Sequence, residues 1–223
     1  MVEKSTCIYC GVEDGTTRDH VPPKAFFPKP RPSNLITVPA CKKCNKLTEK
    51  DEEHFLATFM FGPAGVTQVG KQLWGEKLHR MYEKNQGIRQ RIGTSLQKIE
   101  FVTPHGLFVR HGLGVKLERG RLESVVSKIV RGLYFFEYGE ALPSLVEIVT
   151  HFVQSPVDMT PVENVVSQLS FGTRQWPGIF EYRFNRVEEK HDTSIWLIRF
   201  YESHIFWSVT DSKQAASQDG IAN

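Results

Sequence analysis

The chain has 223 residues, 40% of them hydrophobic and 24% charged, with 28 Lys/Arg against 25 Asp/Glu and a formal charge of +3. That is enough material to bury a real core, and it excludes a disordered chain, a fibrous repeat and a peptide-sized disulfide scaffold. No apolar run approaches 18 residues and the first ten residues carry Glu3, Lys4 and two cysteines, so a cytoplasmic protein without membrane spans is expected.

In chain order, the first feature is a pair of C-x-x-C knuckles, Cys7/Cys10 and Cys41/Cys44, separated by 30 residues. In a reducing compartment this pattern reads as a closed tetrathiolate site for structural Zn²⁺, with a redox pair or two unrelated knuckles as the alternatives. Four thiolates and one Zn²⁺ would lower the net charge to about +1. Charge is concentrated around the knuckles, since residues 1–50 hold nine Lys/Arg against five acids. A phosphate-tracking segment and a solvated face both fit that distribution.

Five prolines between Pro22 and Pro32 exclude a helix from Asp19 to Asn34. Leu35–Val38 reads as a short strand closed by Pro39, and a helix is expected from about Cys41–Cys44 through Phe59, where Leu47, Phe55 and Phe59 recur at helical spacings. Glycine and proline between Phe61 and Val69 mark a soft boundary between a module of residues 1–60 and a second domain, 61–213, with a polar tail, 214–223. A helix over 70–92 weakened by Gly75 and Gly87, and a hairpin over Ile99–Val109 turning at Pro104–Gly106, come next. Leu122–Tyr138 is the clearest helix, with Leu122, Val125, Val126, Ile129, Leu133 and Phe136 on one face. A strand at 145–153, a short helix at Pro161–Leu169, and strands at Ile179–Phe184, Ser194–Tyr201 and Ile205–Val209 complete an α+β pattern with an antiparallel meander.

The chemistry-bearing residues lie between and beside the knuckles. Closing the cysteine site draws Asn45, next to Cys44, towards Asp19-His20. A carboxylate and an amide oxygen are hard donors suited to Mg²⁺ or Mn²⁺. A histidine beside such an ion, without ligating it, can deprotonate a water aimed at a phosphodiester. Cys7-x-x-Cys10, Thr17-Arg18-Asp19-His20-Val21-Pro22-Pro23, Asn34-Leu35-Ile36 and Cys41-x-x-Cys44-Asn45 together resemble the zinc-bound HNH, or His-Me finger, endonucleases, over roughly residues 5–59.

The resemblance implies an N-terminal ββα-metal, treble-clef-like zinc module followed by a mixed helix and antiparallel-sheet domain. It assigns His20 as general base, Asp19 and Asn45 as ligands of the catalytic Mg²⁺ or Mn²⁺, and Asn34 as the residue that orients the imidazole or holds the loop. The separation of seven positions between Asn34 and Cys41 is slightly longer than usual in the family. The implied reaction is hydrolysis of double-stranded DNA to 5′-phosphate and 3′-hydroxyl ends. Arg18, Lys24, Lys42, Lys43 and Lys46 are candidate phosphate contacts, which position a duplex without reading its sequence.

Plainer readings stand beside these. Asp19-His20 also fits a turn cap with a surface histidine, Asn45 a helix cap, and Asn34 an Asx turn. A non-cleaving zinc-containing nucleic-acid-binding or adaptor protein is the alternative function. Nine residues on from Asn45, His54 is expected to face away from the site, whereas Glu49 and Glu52 share its face. The other histidines are scattered without ligand spacing. Residues 61–213 carry no motif; core, DNA-facing surface and homodimer contact are the roles open to them, with Arg119, Arg121, Lys128 and Arg131 as a basic edge.

Overall fold

Two prolines and a glycine set the start of the structure. The computed structural model describes residues 5–103, 105–154 and 159–212. Strand β1, Thr17–Val21, runs up to Pro22 and pairs antiparallel with β2, Ile36–Ala40, with His20 opposite Thr37 and Asp19 opposite Val38. The expected strand thus begins one residue later and continues through Pro39, whose carbonyl accepts the Ile8 N–H at 3.1 Å while its missing donor costs nothing on an edge. Gly15 sits where a Cβ would meet the Ser5 carbonyl at 2.7 Å and Pro39 at 2.8 Å, so the first knuckle can lie flat on the end of β2. Between the strands the proline-rich loop holds one 3-10 turn, Lys24–Phe26.

The helix expected from the second knuckle to Phe59 is two helices, α1 (Lys42–Lys46) and α2 (Glu49–Met60). They separate because Thr48 adopts φ −104°, ψ 7° and turns its buried hydroxyl onto the Glu52 carboxylate at 2.7 Å. Leu47 is consequently left exposed instead of joining Phe55 and Phe59 in the core. Next come α3 (Pro63–Val66), α4 (Gln68–Leu73), a π-helical turn at Trp74–Leu78 that contains Gly75, α5 (His79–Lys84) and α6 (Gln86–Ser95). Asn85 breaks the expected 70–92 helix, because its carboxamide accepts the Ile88 N–H at 3.1 Å and caps α6.

The hairpin forms as β3 (Leu96–Val102) and β4 (Phe108–Val115), longer than expected; Pro104 of its turn lies outside the described residues, as does the tail from Gln214. Helix α7, Arg119–Tyr138, buries the expected apolar face, and Gly139 at φ +73° caps it, its N–H bonding the Phe135 carbonyl at 2.9 Å. The remaining strands are β5 (Glu147–Val153), β6 (Ser170–Phe171), β7 (Phe180–Val187), β8 (Lys190–Phe200) and β9 (His204–Asp211), with α8 reduced to Glu163–Val166. They form one antiparallel sheet in the order β5-β9-β8-β7-β6. The architecture is therefore α+β: a β-β-α region carrying the four cysteines, then further helices and a five-stranded sheet.

One apolar cluster joins these parts. Phe26, from the proline-rich loop, stacks on Phe55 at 5.1 Å and meets Phe200 edge-on, while Phe27 packs edge-on against Trp176. The Tyr201 hydroxyl donates to the Phe26 carbonyl at 3.0 Å within the core. Helix α7 packs against α2, β5 and both strands of the small sheet. A Cβ on Gly132 would lie 2.4 Å from a Val21 methyl, so α7 and β1 approach as closely as they do only because that side chain is missing. No helix among the described residues is long and apolar enough to cross a membrane.

Candidate metal centre and histidine cleft

The Sγ atoms of Cys7, Cys10, Cys41 and Cys44 all lie within 4.8 Å of one another, a cluster that could jointly hold a metal ion. A tetrahedral Zn²⁺ with Zn–S of about 2.3 Å asks for sulfurs about 3.8 Å apart, so the donor set and its spacing fit. Local backbone geometry builds each knuckle. Gly11 takes φ +67° with its N–H on the Cys7 carbonyl, and the Cys44 N–H turns back to the Cys41 sulfur at 3.3 Å. Backbone N–H groups of Glu13 and Val12 lower the Cys10 thiol to about 7, while burial raises that of Cys44. Cys7 and Cys41 are buried with Ala40 between them, and the four residues together fasten the N-terminal loop to the junction of β2 and α1.

That junction sets the place of Asn45. Its Nδ2 donates to the Thr17 hydroxyl at 2.9 Å and to the Arg18 carbonyl at 3.4 Å, lashing α1 across β1. Its Oδ1 has no partner among the described residues. A cleft of about 370 Å³ opens there, and its lining includes Asp19, His20 and Asn45, the three residues that the sequence brought forward as a base and two oxygen ligands. Asn34 is not among the lining residues. Its carboxamide oxygen accepts the Trp176 indole N–H at 3.2 Å and its carbonyl accepts Arg174, so it ties the loop to the C-terminal region, while His20 pairs across the sheet with Thr37.

His20 and Asp19 emerge on opposite faces of β1, as neighbours in a strand must. His20 is half-buried and its ring meets no hydrogen-bonding group among the described residues. Burial first, then the Lys24 ammonium and Arg31, hold its pKa below the usual imidazole value against the pull of Asp19. These surroundings favour the uncharged imidazole, the form that accepts a proton.

Asp19 points inward and is 7% exposed. Its Oδ2 accepts the Tyr9 hydroxyl at 2.9 Å and an ion pair with Lys128 of α7 at 2.9 Å. Burial, followed by the Asp19 charge, raises the Tyr9 pKa well above its ordinary value, so the phenol stays a donor. Lys128 completes its three donors on the Glu52 carboxylate at 3.2 Å and the Asn45 carbonyl at 3.0 Å, with its charge 5.6 Å from the Tyr9 ring centre. Removing the Lys128 charge leaves the enclosed Asp19 and Glu52 carboxylates without their counter-ion at a cost of about 3–5 kcal/mol, whereas removing Asp19 still leaves Lys128 paired with Glu52.

The cleft also contains residues that sequence reasoning passed over. Lys77, whose pKa burial lowers, and Glu53 line it together with Glu49, Glu52, Arg18, Lys24, Lys42 and Lys46. Basic and acidic side chains are thus mixed, and Lys43 lies exposed outside the lining. His54 is buried against Thr58 and 3.7 Å from Glu118, away from the cleft as expected, and Glu49 and Glu52 share the Asn45 side.

Lys128, expected only as part of a basic edge of α7, is instead the inward partner of Asp19, and a signal for this existed. It sits between Val125, Ile129 and Gly132 on a buried face of α7, where a lysine needs a partner. The basic edge expected on α7 is mostly turned inward: Arg121 pairs with Asp51 at 2.7 Å, and Arg131 donates to the carbonyls of Leu142, Pro143, Ser144 and Val146.

Comparison of the chain with protein-family models, with curated proteins and with solved structures finds no match in any of the three.

Proposed function

We propose that the chain is a divalent-metal-dependent endonuclease of the HNH, zinc-bound type, hydrolysing DNA phosphodiester bonds in the cleft between β1 and α1. The observation that carries the reading is His20: an imidazole with no hydrogen-bond partner among the described residues, lining the same cleft as Asp19 and Asn45. Zn²⁺ on Cys7, Cys10, Cys41 and Cys44 has a structural role, since four thiolates leave no open position.

Asp19 and Asn45 supply hard oxygen donors, and the chemistry of that set fits Mg²⁺ or Mn²⁺. A divalent ion held by these residues would supply positive charge where negative charge develops on the phosphate and its leaving oxygen. The imidazole of His20 takes the proton of the attacking water, the P–O3′ bond breaks, and the departing 3′ oxygen takes a proton from solvent, which leaves 5′-phosphate and 3′-hydroxyl ends. Arg18, Lys24, Lys42 and Lys46 on the cleft and Lys43 beside it contact backbone phosphates, which gives salt-sensitive binding with little sequence preference. Nothing in this account uses Asn34 as more than a holder of the loop.

A second reading, a non-cleaving nucleic-acid-binding protein, draws support from the Lys128 ammonium at Asp19, which already neutralises that carboxylate. Incubating the zinc-loaded protein with supercoiled double-stranded plasmid separates the two. The nuclease reading expects relaxed circles with ligatable ends that depend on added Mg²⁺ or Mn²⁺. Salt-dependent retardation of DNA with no relaxed product at any metal concentration leaves the binding protein instead.

A further inference from the structure

Three oxygens from residues that line the cleft converge on one nitrogen that does not: Asp19 Oδ2 at 2.9 Å, the Asn45 carbonyl at 3.0 Å and Glu52 Oε1 at 3.2 Å from Lys128 Nζ. Two carboxylates and a carbonyl are the donors a hard divalent cation takes, and here a monovalent ammonium fills the position. The arrangement is built and not incidental. The side chains of Lys128, Asp19 and Glu52 are only 11%, 10% and 17% exposed; Thr48 orients Glu52 and Tyr9 orients Asp19. Gly132, one turn beyond Lys128, permits the close approach of α7 to β1 that brings the ammonium into place.

Charge supplies the direction of the argument. One ammonium against two carboxylates leaves the group with a net charge of about −1, still attractive to a cation. A divalent ion taking Asp19 Oδ2 and Glu52 Oε1 at about 2.1 Å cannot share those oxygens with an ammonium 2.9 Å and 3.2 Å away without forcing two positive centres together. The lysine stem is flexible and its cationic head is strongly hydrated, so it can leave towards the cleft.

Resting on the nuclease reading for the identity of the ion, we propose that Lys128 is a resident counter-cation that keeps closed the oxygen seat made by Asp19, Glu52 and the main-chain carbonyl of Asn45, whose side-chain amide is the donor in that reading, until Mg²⁺ or Mn²⁺ displaces it. Lys128 touches no substrate in this account. It sets how much metal the site requires, and it keeps two carboxylates buried without strain while no ion is bound.

The test measures metal directly, without DNA. Mn²⁺ is titrated into the full-length, zinc-loaded protein and free Mn²⁺ is read by electron paramagnetic resonance. Lys128→Gln, which keeps hydrogen-bond donors but not the charge, is expected to bind Mn²⁺ about tenfold more tightly or better. Adding Asp19→Asn to that variant is expected to remove the gain. Equal or weaker Mn²⁺ binding by Lys128→Gln, or binding by neither protein, overturns the proposal. A measurement on the unaltered chain guards against a variant that does not fold. Saturating Mg²⁺ should raise the rate at which Lys128 is acetylated by a small reagent, read by mass spectrometry, and an unchanged rate also overturns it. Failure of the nuclease reading is separable: a protein that passes these tests but never relaxes plasmid keeps the displaceable lysine and loses the endonuclease. One that cuts plasmid while Lys128→Gln gains no affinity does the reverse.

Discussion

Between Ser5 and Thr48 the chain is held by four sulfurs, a two-stranded pairing and a few directed hydrogen bonds from Thr17, Asn45 and Cys44. From Glu147 to Asp211 it is held by Trp196, Phe180, Phe200 and Phe206, stacked face and edge across a five-stranded sheet. The first region also sends Ile8, Val21, Phe26, Phe27, Ile36 and Val38 into the shared apolar core, and its polar side chains gather in the cleft beside them. In the second, apolar packing dominates the inner face, and its polar groups, Ser194, Ser208 and Thr210, are buried and satisfied. The cysteine cluster with its cleft and the late sheet are thus apart in sequence but clamped together by Phe26, Phe27 and α7.

Breaking the sulfur cluster should separate the two regions most sharply. Cys41→Ser, or a strong chelator, is expected to strip the metal and leave β1 and β2 amides exchanging orders of magnitude faster, while those of β8 stay slow by hydrogen exchange. Equal loss of protection in both regions would deny that they are held by different means. Phe55→Ala attacks the clamp, since this ring touches Phe26, Phe59, Phe200 and Phe206. It should cost about 3–5 kcal/mol in urea unfolding and lower protection everywhere.

Acid should act on the sheet side through His204, which burial lowers to about 4 and which stacks on Phe59 at 4.0 Å. A buried base with a lowered pKa binds its proton more readily when unfolded. Its contribution is therefore whole above pH 6.5 and is lost as pH falls from 6.5 towards 4, by about 3 kcal/mol. Urea midpoints of the wild type and of His204→Leu, compared at pH 7.5 and 4.5, should show the variant losing less. The smallest effect expected is that of Gly132→Ala. Helix propensity alone favours alanine by about 0.5–1 kcal/mol, yet the crowding against Val21 should make the change destabilising by about 1–3 kcal/mol. A gain in melting temperature would show that α7 and β1 are not in tight contact.

Legibility followed the same division. The cysteine cluster could be read because its spacing is fixed by covalent chain and metal chemistry, and the β-β-α order was implied by the resemblance, whereas no pattern in Thr17–Val21 announced β1. Long periodic or β-branched runs gave α7 and the late strands. Helix breaks at Thr48 and Asn85 were not legible, because a side chain competing for a backbone or carboxylate partner leaves no periodic trace. The partner of Asn34, Trp176, lies 142 positions away, and Lys128 reaches Asp19 only once α7 has packed on β1. Such contacts belong to tertiary structure, and spacing within a motif carries no information about them.

The central claim is that His20 acts as a general base, and chemical rescue tests it most directly. His20→Ala, with zinc content and melting temperature preserved, should nick supercoiled plasmid at least about 100-fold more slowly than wild type, with part of the rate restored by millimolar imidazole. A His20→Ala protein that relaxes plasmid at the wild-type rate would contradict the account.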